Sequence, residues 1–407
     1  MATKTRGNAV IGQSGGPTSV INQSLVGVIL EQRKLGHIDR LLGACHGVRG
    51  IVNEDFIDVG KTPEDLLERI ANTPAAALRS TRDKPDKAYC ERIFRSFAKN
   101  NVRFFFYIGG NDSADTARIV ADLAKEANYE LQVFHIPKTI DNDLRVHDHT
   151  PGYGSAAKFV ACAILGDNFD NRSLPGIKVD VIMGRNAGYL AAAAVLARQH
   201  DEDGPHLIYV PEAPVSEEKL LADVDRVYAK KGRCLIAVSE GIVKEDGRTW
   251  FEHLAETHER DAHGNLQLSG SGELGDYIAS LIRKHLTPAG GKPPRVRADT
   301  FGYIQRSFPG LVSEVDAREA RLVGQMAVRY SIEPGISGSV AMRRKPGPNY
   351  EIEIFCTPLE TVAKETRKMP PEFIEGGNNI TKAFVNYASP IVGKLPVAGS
   401  FEELKNV

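Results

Sequence analysis

Short apolar runs recur along this chain, each followed by a polar, glycine-containing turn and then by apolar residues at helical spacing. Ala9-Val10-Ile11 leads into residues 12–18, after which Ile21, Leu25, Val28 and Ile29 recur at helical intervals. Residues 104–108 form a continuous apolar run. Gly109-Gly110 follows it, and Ala117, Val120, Ala121 and Ala124 then share one helical face. Val133-Phe134-His135-Ile136 reads as another buried strand, and residues 179–183 precede Gly184 and an alanine-rich stretch over 187–197. Residues 207–210 and 235–238 are two further candidates. Continuous apolar runs belong to strands covered on both faces, which is the condition of parallel sheets. Strand, turn and helix in repetition predict the α/β class with mainly parallel sheets. A chain of 407 residues is too long for one ordinary core, so two domains or one large α/β unit are expected.

The rhythm breaks at residues 243–272, rich in Glu, Asp, Arg, His and Gly, which read as a surface excursion or hairpin. Lys292-Pro293-Pro294-Arg295 marks a turn before a strand at Phe301. Pro370-Pro371 and Gly376-Gly377-Asn378-Asn379 suggest an extended C-terminal arm. Balanced charge, a net −1, argues against general nucleic-acid binding, so any phosphate site must be a local cluster of Arg and Lys. No run approaches the roughly 18 apolar residues of a membrane helix, and the first residues lack a signal-peptide core. Five well-separated cysteines without a C-x-x-C pair read as reduced thiols of a cytoplasmic protein.

Pro137-Lys138-Thr139-Ile140-Asp141-Asn142-Asp143 is the densest chemical motif, and it follows the run ending at Ile136. The carboxyl end of a strand is where open α/β sheets bind ligands. Carboxylates there can accept a proton from a sugar hydroxyl or help hold Mg²⁺, and the ammonium can pair with phosphate. The set suits phosphoryl transfer to an alcohol, although Pro, Asn and Asp also favour plain turns. Residues 12–18 join a strand to a helix, where backbone N–H groups can approach phosphate. They end in no G-K-[ST] and contain no G-x-G-x-x-G, so neither a P-loop nor a dinucleotide fingerprint is present. Asn111, Asp112 and Ser113 could equally cap the helix that follows. His147-Asp148-His149 has the elements of a metal site but reads as a solvated loop triplet. Ser313-Glu314-Val315-Asp316 reads as a capping box.

Five segments in order resemble the phosphofructokinase family. They are Gly12-Gln13-Ser14-Gly15-Gly16-Pro17-Thr18, Gly109-Gly110-Asn111-Asp112-Ser113, the Pro137–Asp143 motif, Met183-Gly184-Arg185-Asn186-Ala187-Gly188, and Gly302-Tyr303-Ile304-Gln305-Arg306-Ser307. The resemblance is closest to the pyrophosphate-dependent branch. It implies two Rossmann-like domains: residues 1–152 with about 305–365 for the phosphate donor, and 153–304 with about 366–407 for the sugar phosphate. It implies Mg²⁺, pyrophosphate and fructose 6-phosphate as ligands, and a homodimer or homotetramer sharing sugar-phosphate sites across its interface.

Carried onto this sequence, the resemblance assigns Gly15, Gly16, Arg82, Gly110, Asn111, Asp112 and Lys138 to the donor. Asp141 becomes the base for the sugar 1-hydroxyl, Asp143 a supporting carboxylate, and Thr139 a hydrogen-bonding partner of the transferring group or sugar. Met183, Gly184, Arg185 and Glu240 face the sugar, and Arg297, Tyr303 and Arg306 hold its 6-phosphate. ATP-dependent relatives carry Asp and Gly where Asn111 and Asp112 stand, and Gly where Lys138 stands. Asp112 narrows the pocket and adds charge, and Lys138 adds a cation for a compact anion, which together disfavour ATP. Asn111 departs from the family's metal-binding Asp, leaving Asp112, with Asn111 possible, as the metal ligand. The alternatives are an ATP-dependent enzyme of the family or a non-catalytic regulatory subunit.

Overall fold

The computed structural model describes residues 5–254 and 272–399. Strands β1 (Asn8–Gln13), β2 (Leu41–Ala44), β3 (Phe56–Asp58), β4 (Val102–Gly109) and β5 (Gln132–Pro137) come first. The chain then forms β6 (Ile177–Ile182), β7 (Leu207–Tyr209), β8 (Cys234–Ser239) and β9 (Val296–Thr300), and afterwards β10 (Gly338–Arg344) and β11 (Ile352–Thr357). Contacts divide it into two compact units. The first is Met1–Ala156 with Arg306–Arg367, and the second is Ala157–Gln305 with Lys368–Val407.

In the first unit the strands form a seven-stranded sheet in the order β11-β10-β5-β4-β1-β2-β3. Every pair from β10 to β2 is parallel, and the outermost pairs, β10–β11 and β2–β3, are antiparallel. The continuous apolar run of β4 feeds two cores at once. Phe104, Phe106 and Ile108 join the cluster under the helices Ile21–Leu35 and Glu314–Tyr330, while Phe105 and Tyr107 join Ile93, Phe97 and Val120 on the other face. The alternation of side chains along a strand divides one unbroken run between both faces.

The second unit has a parallel four-stranded sheet in the order β7-β8-β6-β9. Its core combines Val179, Val181, Ile236 and Val238 with Leu220, Val224 and Ile278 from the flanking helices. No helix among the described residues is long and apolar enough to cross a membrane.

Several expectations need correction. The strand placed at Phe301 is β9, which ends at Thr300. The segment read as an extended C-terminal arm contains a two-stranded ribbon, Ile374–Glu375 with Asn379–Ile380, and then the helix Lys382–Val392. That helix carries Phe384, Ala388 and Ile391 fully buried, a period of about 3.6 that the preceding prolines and glycines obscured. Residues 255–271 of the proposed excursion, and residues 1–4, lie outside the described residues. The excursion's first part forms a Val243–Thr249 bridge and a short helix, Trp250–Leu254.

Candidate active site

The sheet order makes β5, β4 and β1 neighbours, so the turns leaving their carboxyl ends are adjacent. These turns are residues 138–143, 110–112 and 14–18, three of the five motifs. Lys138 N–H donates to Gly109 O at 3.0 Å, tying the first to the second. His135 Nε2 lies 2.8 Å from the same carbonyl, and its Nδ1 lies 2.7 Å from Ser339 Oγ. Burial pushes His135 down to about 3, so the ring is neutral, donating through Nε2 and accepting through Nδ1.

Lys138 is 5% exposed, and its Nζ donates to Gly16 O at 2.7 Å. A Cβ on Gly15 would lie 3.2 Å from that Nζ, and one on Gly16 would lie 2.7 Å from Arg306 Nη1. The two glycines therefore let cationic side chains lie against bare backbone. Ser80 Oγ and Thr81 O bind the Gly15 backbone at 2.6 and 2.9 Å, which sets the loop carrying Arg82 beside the turn. Asp83 is engaged by Arg49 and Tyr89, whereas Arg82 is exposed. Burial lowers Lys138 to about 8, and the charges of Arg306 and Arg82 press in the same direction against Asp141 and Asp143. Three cations around a glycine turn make a locus that an oligo-anion stabilises.

The helix after β4 starts at Asn111 with Gly110 as its N-cap and no side-chain cap bond, which corrects the reading of Asn, Asp or Ser as cap. Asn111 Oδ1 instead accepts from Asp112 N–H at 2.9 Å, and its Nδ2 donates to Lys364 O at 3.4 Å. Asp112 is exposed, 3.1 Å from Lys84 Nζ.

Asn142 sits between Asp141 and Asp143 with φ +59°, fully buried, in the left-handed region that Asn tolerates better than most residues. Asp141 N–H donates to Thr139 Oγ1 at 3.1 Å. Burial raises Asp143 to about 7, and the neighbouring charge of Asp141 adds to the rise. Two carboxylates so placed invite a proton or a cation between them.

Behind this loop, His149 is fully buried, its Nδ1 2.8 Å from Asp148 and its Nε2 2.7 Å from Glu319. Tyr350 and Arg344 complete the group. Asp148 and His149 of the triplet read as a solvated loop thus belong to an internal ion cluster, while His147 is buried against the Arg145 and Val340 carbonyls. Ser313 Oγ does accept from Asp316 N–H, as a capping box requires, but the Asp316 carboxylate receives Gly152 N–H and Ser155 instead.

Burial alone would depress His149, yet Asp148 and Glu319 outweigh it and hold the ring up at about 9. The folded value exceeds the ordinary ~6.5, so this stabilisation is complete below about pH 6.5 and is lost as pH rises through about 9. The Tm gap between wild type and His149→Gln is therefore expected to be widest near about pH 6 and to close toward about pH 9.5. Scanning fluorimetry across that range reads it, and a flat gap would mean a neutral ring.

In the second unit the parallel neighbours β6 and β8 bring Met183-Gly184-Arg185 next to Ser239-Glu240-Gly241. Ser239 Oγ donates to Gly184 O at 2.6 Å, and Glu240 N–H to Ile182 O at 2.8 Å. Gly184 has φ +139°, and a Cβ on Gly241 would lie 2.1 Å from Arg185 O, so the two turns need glycine to meet. Glu240 is buried and Met183 and Arg185 are half-buried. Gln305 Oε1 accepts from Met183 N–H at 3.3 Å. Arg297, opposite Lys178 on edge strand β9, and Tyr303 are exposed. Arg306, grouped with them by sequence, falls in the first unit beside Gly16 and Lys138.

A separate cluster, Asp167, Asp180 and Asp299, brings carboxylate oxygens within 4.8 Å of one another. The Lys178 ammonium bridges it, 3.5 Å from Asp167 and 3.9 Å from Asp180.

The phosphofructokinase family profile matches residues 8–331, which include every turn described above. The chain belongs to the phosphofructokinase family. It is 50% identical to the pyrophosphate–fructose 6-phosphate 1-phosphotransferase of Rhodospirillum rubrum over 96% of this chain and 95% of that protein. Two crystal structures titled pyrophosphate-dependent phosphofructokinase are similar throughout. The one from Marinobacter aquaeolei has a TM-score of 0.83 at 30% identity, covering 98% of this chain and 95% of its own. The one from Nitrosospira multiformis has a TM-score of 0.82 at 32% identity, covering 98% and 94%. His135, hidden inside a strand, and Arg367, bonded to Asn142, support these phosphofructokinase turns without belonging to any motif.

Proposed function

We propose that the chain is a Mg²⁺-dependent, reversible phosphotransferase that moves a phosphoryl group from pyrophosphate to the 1-hydroxyl of fructose 6-phosphate. Fructose 1,6-bisphosphate and phosphate are the products. The observation that carries this reading is the buried Lys138 ammonium against the Gly15-Gly16 turn, with Arg82 and Arg306 close enough to depress it. A site of that charge and compactness favours a small polyanion, and Asp112 adds negative charge at the start of the adjoining helix.

In this reading the first unit binds the donor and the second the sugar phosphate. Asp141 accepts the 1-hydroxyl proton as that oxygen attacks the terminal phosphorus. The bridging P–O bond breaks and phosphate leaves, its growing charge met by Lys138 and Arg82. Thr139 and Arg185 orient the group in transfer, Gly110 keeps backbone close to the donor, and Met183, Gly184 and Glu240 hold the sugar.

The residues fit a divalent cation. Asp143, raised by burial and by Asp141, is relieved by positive charge, and among the described residues the Asp112 carboxylate pairs with a solvent-exposed lysine, Lys84. Asn111 is the weaker ligand, since its amide oxygen already accepts the Asp112 N–H. Mg²⁺ bound there would neutralise phosphate charge and orient the donor.

A coupled assay with pyrophosphate or ATP as donor tests the reading. Turnover with pyrophosphate well above ATP is expected. Preference for ATP would overturn the donor assignment, and no turnover with either would mark a non-catalytic chain.

Arg297→Ala is expected to raise KM for fructose 6-phosphate about ten- to a hundredfold, by loss of charge-assisted hydrogen bonds, whereas Arg306→Ala, which also removes a cation from beside Lys138, is expected to raise KM for both substrates. Steady-state kinetics in both substrates checks this. A rise confined to pyrophosphate for Arg306→Ala would move that residue into the donor set.

A further inference from the structure

Arg367 ends the first unit and lies in no motif, yet its side chain makes several hydrogen bonds to the loop that follows Asp141. Its Nε donates to Asn142 O at 2.9 Å, and its Nη2 to Asn142 Oδ1 at 2.9 Å and Asp148 O at 2.7 Å. Nη1 donates to His147 O, and the backbone N–H of Arg367 donates to Asp143 O at 2.8 Å. One residue thus satisfies four carbonyls and one amide of residues 142–148. Only a guanidinium offers that many donors in a rigid plane.

The residues before it form a strap. Thr366 bridges Leu144 in antiparallel fashion, and Glu365 pairs with Arg145. At its other end Lys364, at φ +70°, accepts the Asn111 amide through its carbonyl. Beneath it Val362 and Ala363 form a small apolar cluster with Ala114 and Leu144, from the helix after Gly110 and the loop after Asp143. The strap therefore touches both turns that carry the differences from ATP-dependent relatives.

We propose that Arg367, through this strap, is a positioning residue. It holds Asn142 in its left-handed conformation and so sets where the Asp141 and Asp143 carboxylates point. Arg367 touches no reacting atom in this account, which rests on the function proposed above.

The test uses full-length Arg367→Ala and Arg367→Lys, with hydrogen–deuterium exchange and kinetics on each. Lysine keeps the charge but cannot reach three backbone carbonyls and the Asn142 amide oxygen together, so both variants are expected to behave alike. Misplacing reacting groups by about 1 Å costs about 100-fold in kcat, whereas KM for both substrates should stay within about threefold. Free guanidinium at millimolar concentration should restore part of kcat to the Ala variant and none to the Lys variant. Amides of residues 139–150 should exchange faster in both variants, with peptides from the second unit unchanged. Unchanged exchange there, or a kcat within about threefold of wild type, overturns the proposal. If wild type itself fails to use pyrophosphate, the function proposed above fails, and exchange alone still decides whether Arg367 orders the turn.

Discussion

Lys138→Ala is expected to lower kcat/KM for pyrophosphate by about 10²–10³-fold, the loss that follows removal of one preorganised charge donor from a dry site. The ammonium is 5% exposed and fixed on Gly16 O, so its position costs nothing further when the anion arrives. Its removal also leaves Arg82 and Arg306 without the third cation of the group. In the free enzyme the Lys138 value near 8 means that the ammonium is charged below that pH and neutral above it. The wild-type kcat/KM for pyrophosphate should therefore fall as pH rises through about 8, and this limb should vanish in the Ala variant. Pairing Asp112→Gly with Lys138→Gly removes a charge and a buried side chain, and measurable ATP turnover should appear. That gain is bounded by Asn111, where ATP-dependent relatives carry a metal-binding Asp. A double variant that keeps full pyrophosphate activity would falsify the assignment of these two residues as the selectivity device.

Asp141→Asn is expected to keep the fold and to lose turnover by about 10²–10⁴-fold, the usual contribution of a general base. The amide preserves the shape of the turn, including the Asp141 N–H bond to Thr139 Oγ1, but cannot take the proton. It also removes the charge that helps hold Asp143 up near 7, so Asp143 should ionise at lower pH in this variant. The measurement is kcat against pH for both proteins, together with Tm. A kcat near wild type sinks the role of Asp141 as base. A large fall in Tm would instead show that the amide disturbs the turn.

Much of this is legible in the sequence. β1, β4, β5 and β8 are largely continuous apolar runs because packed clusters cover them, and that pattern survives in one dimension, whereas β6 interrupts its run with Lys178 and Asp180. The edge hairpin β10–β11 was missed, since Ile352–Thr357 is only half-buried and interrupts its apolar residues with Glu353. Asp141, Asn142 and Asp143 announce a turn with chemistry because such residues tolerate left-handed backbone and carry charge.

Other features had no local signal. That residues 14–18, 110–112 and 138–143 converge follows from the order β5-β4-β1, which is a matter of pairing between strands far apart in sequence. The resemblance groups Arg306 with Arg297 and Tyr303, while its guanidinium lies against Gly16, on the other side of the change of units between Gln305 and Arg306. His149 read as a loop histidine until Glu319, 170 residues away, closed its second nitrogen. Arg367 stands in a polar stretch, and its donors meet carbonyls some 220 residues earlier. Composition and periodicity were enough for the strands, the turns and the kinds of residue they carry, because burial and backbone preference are local properties. Which cation faces which turn was decided only when distant segments packed, since hydrogen bonds and charges act through space and leave no period in the chain.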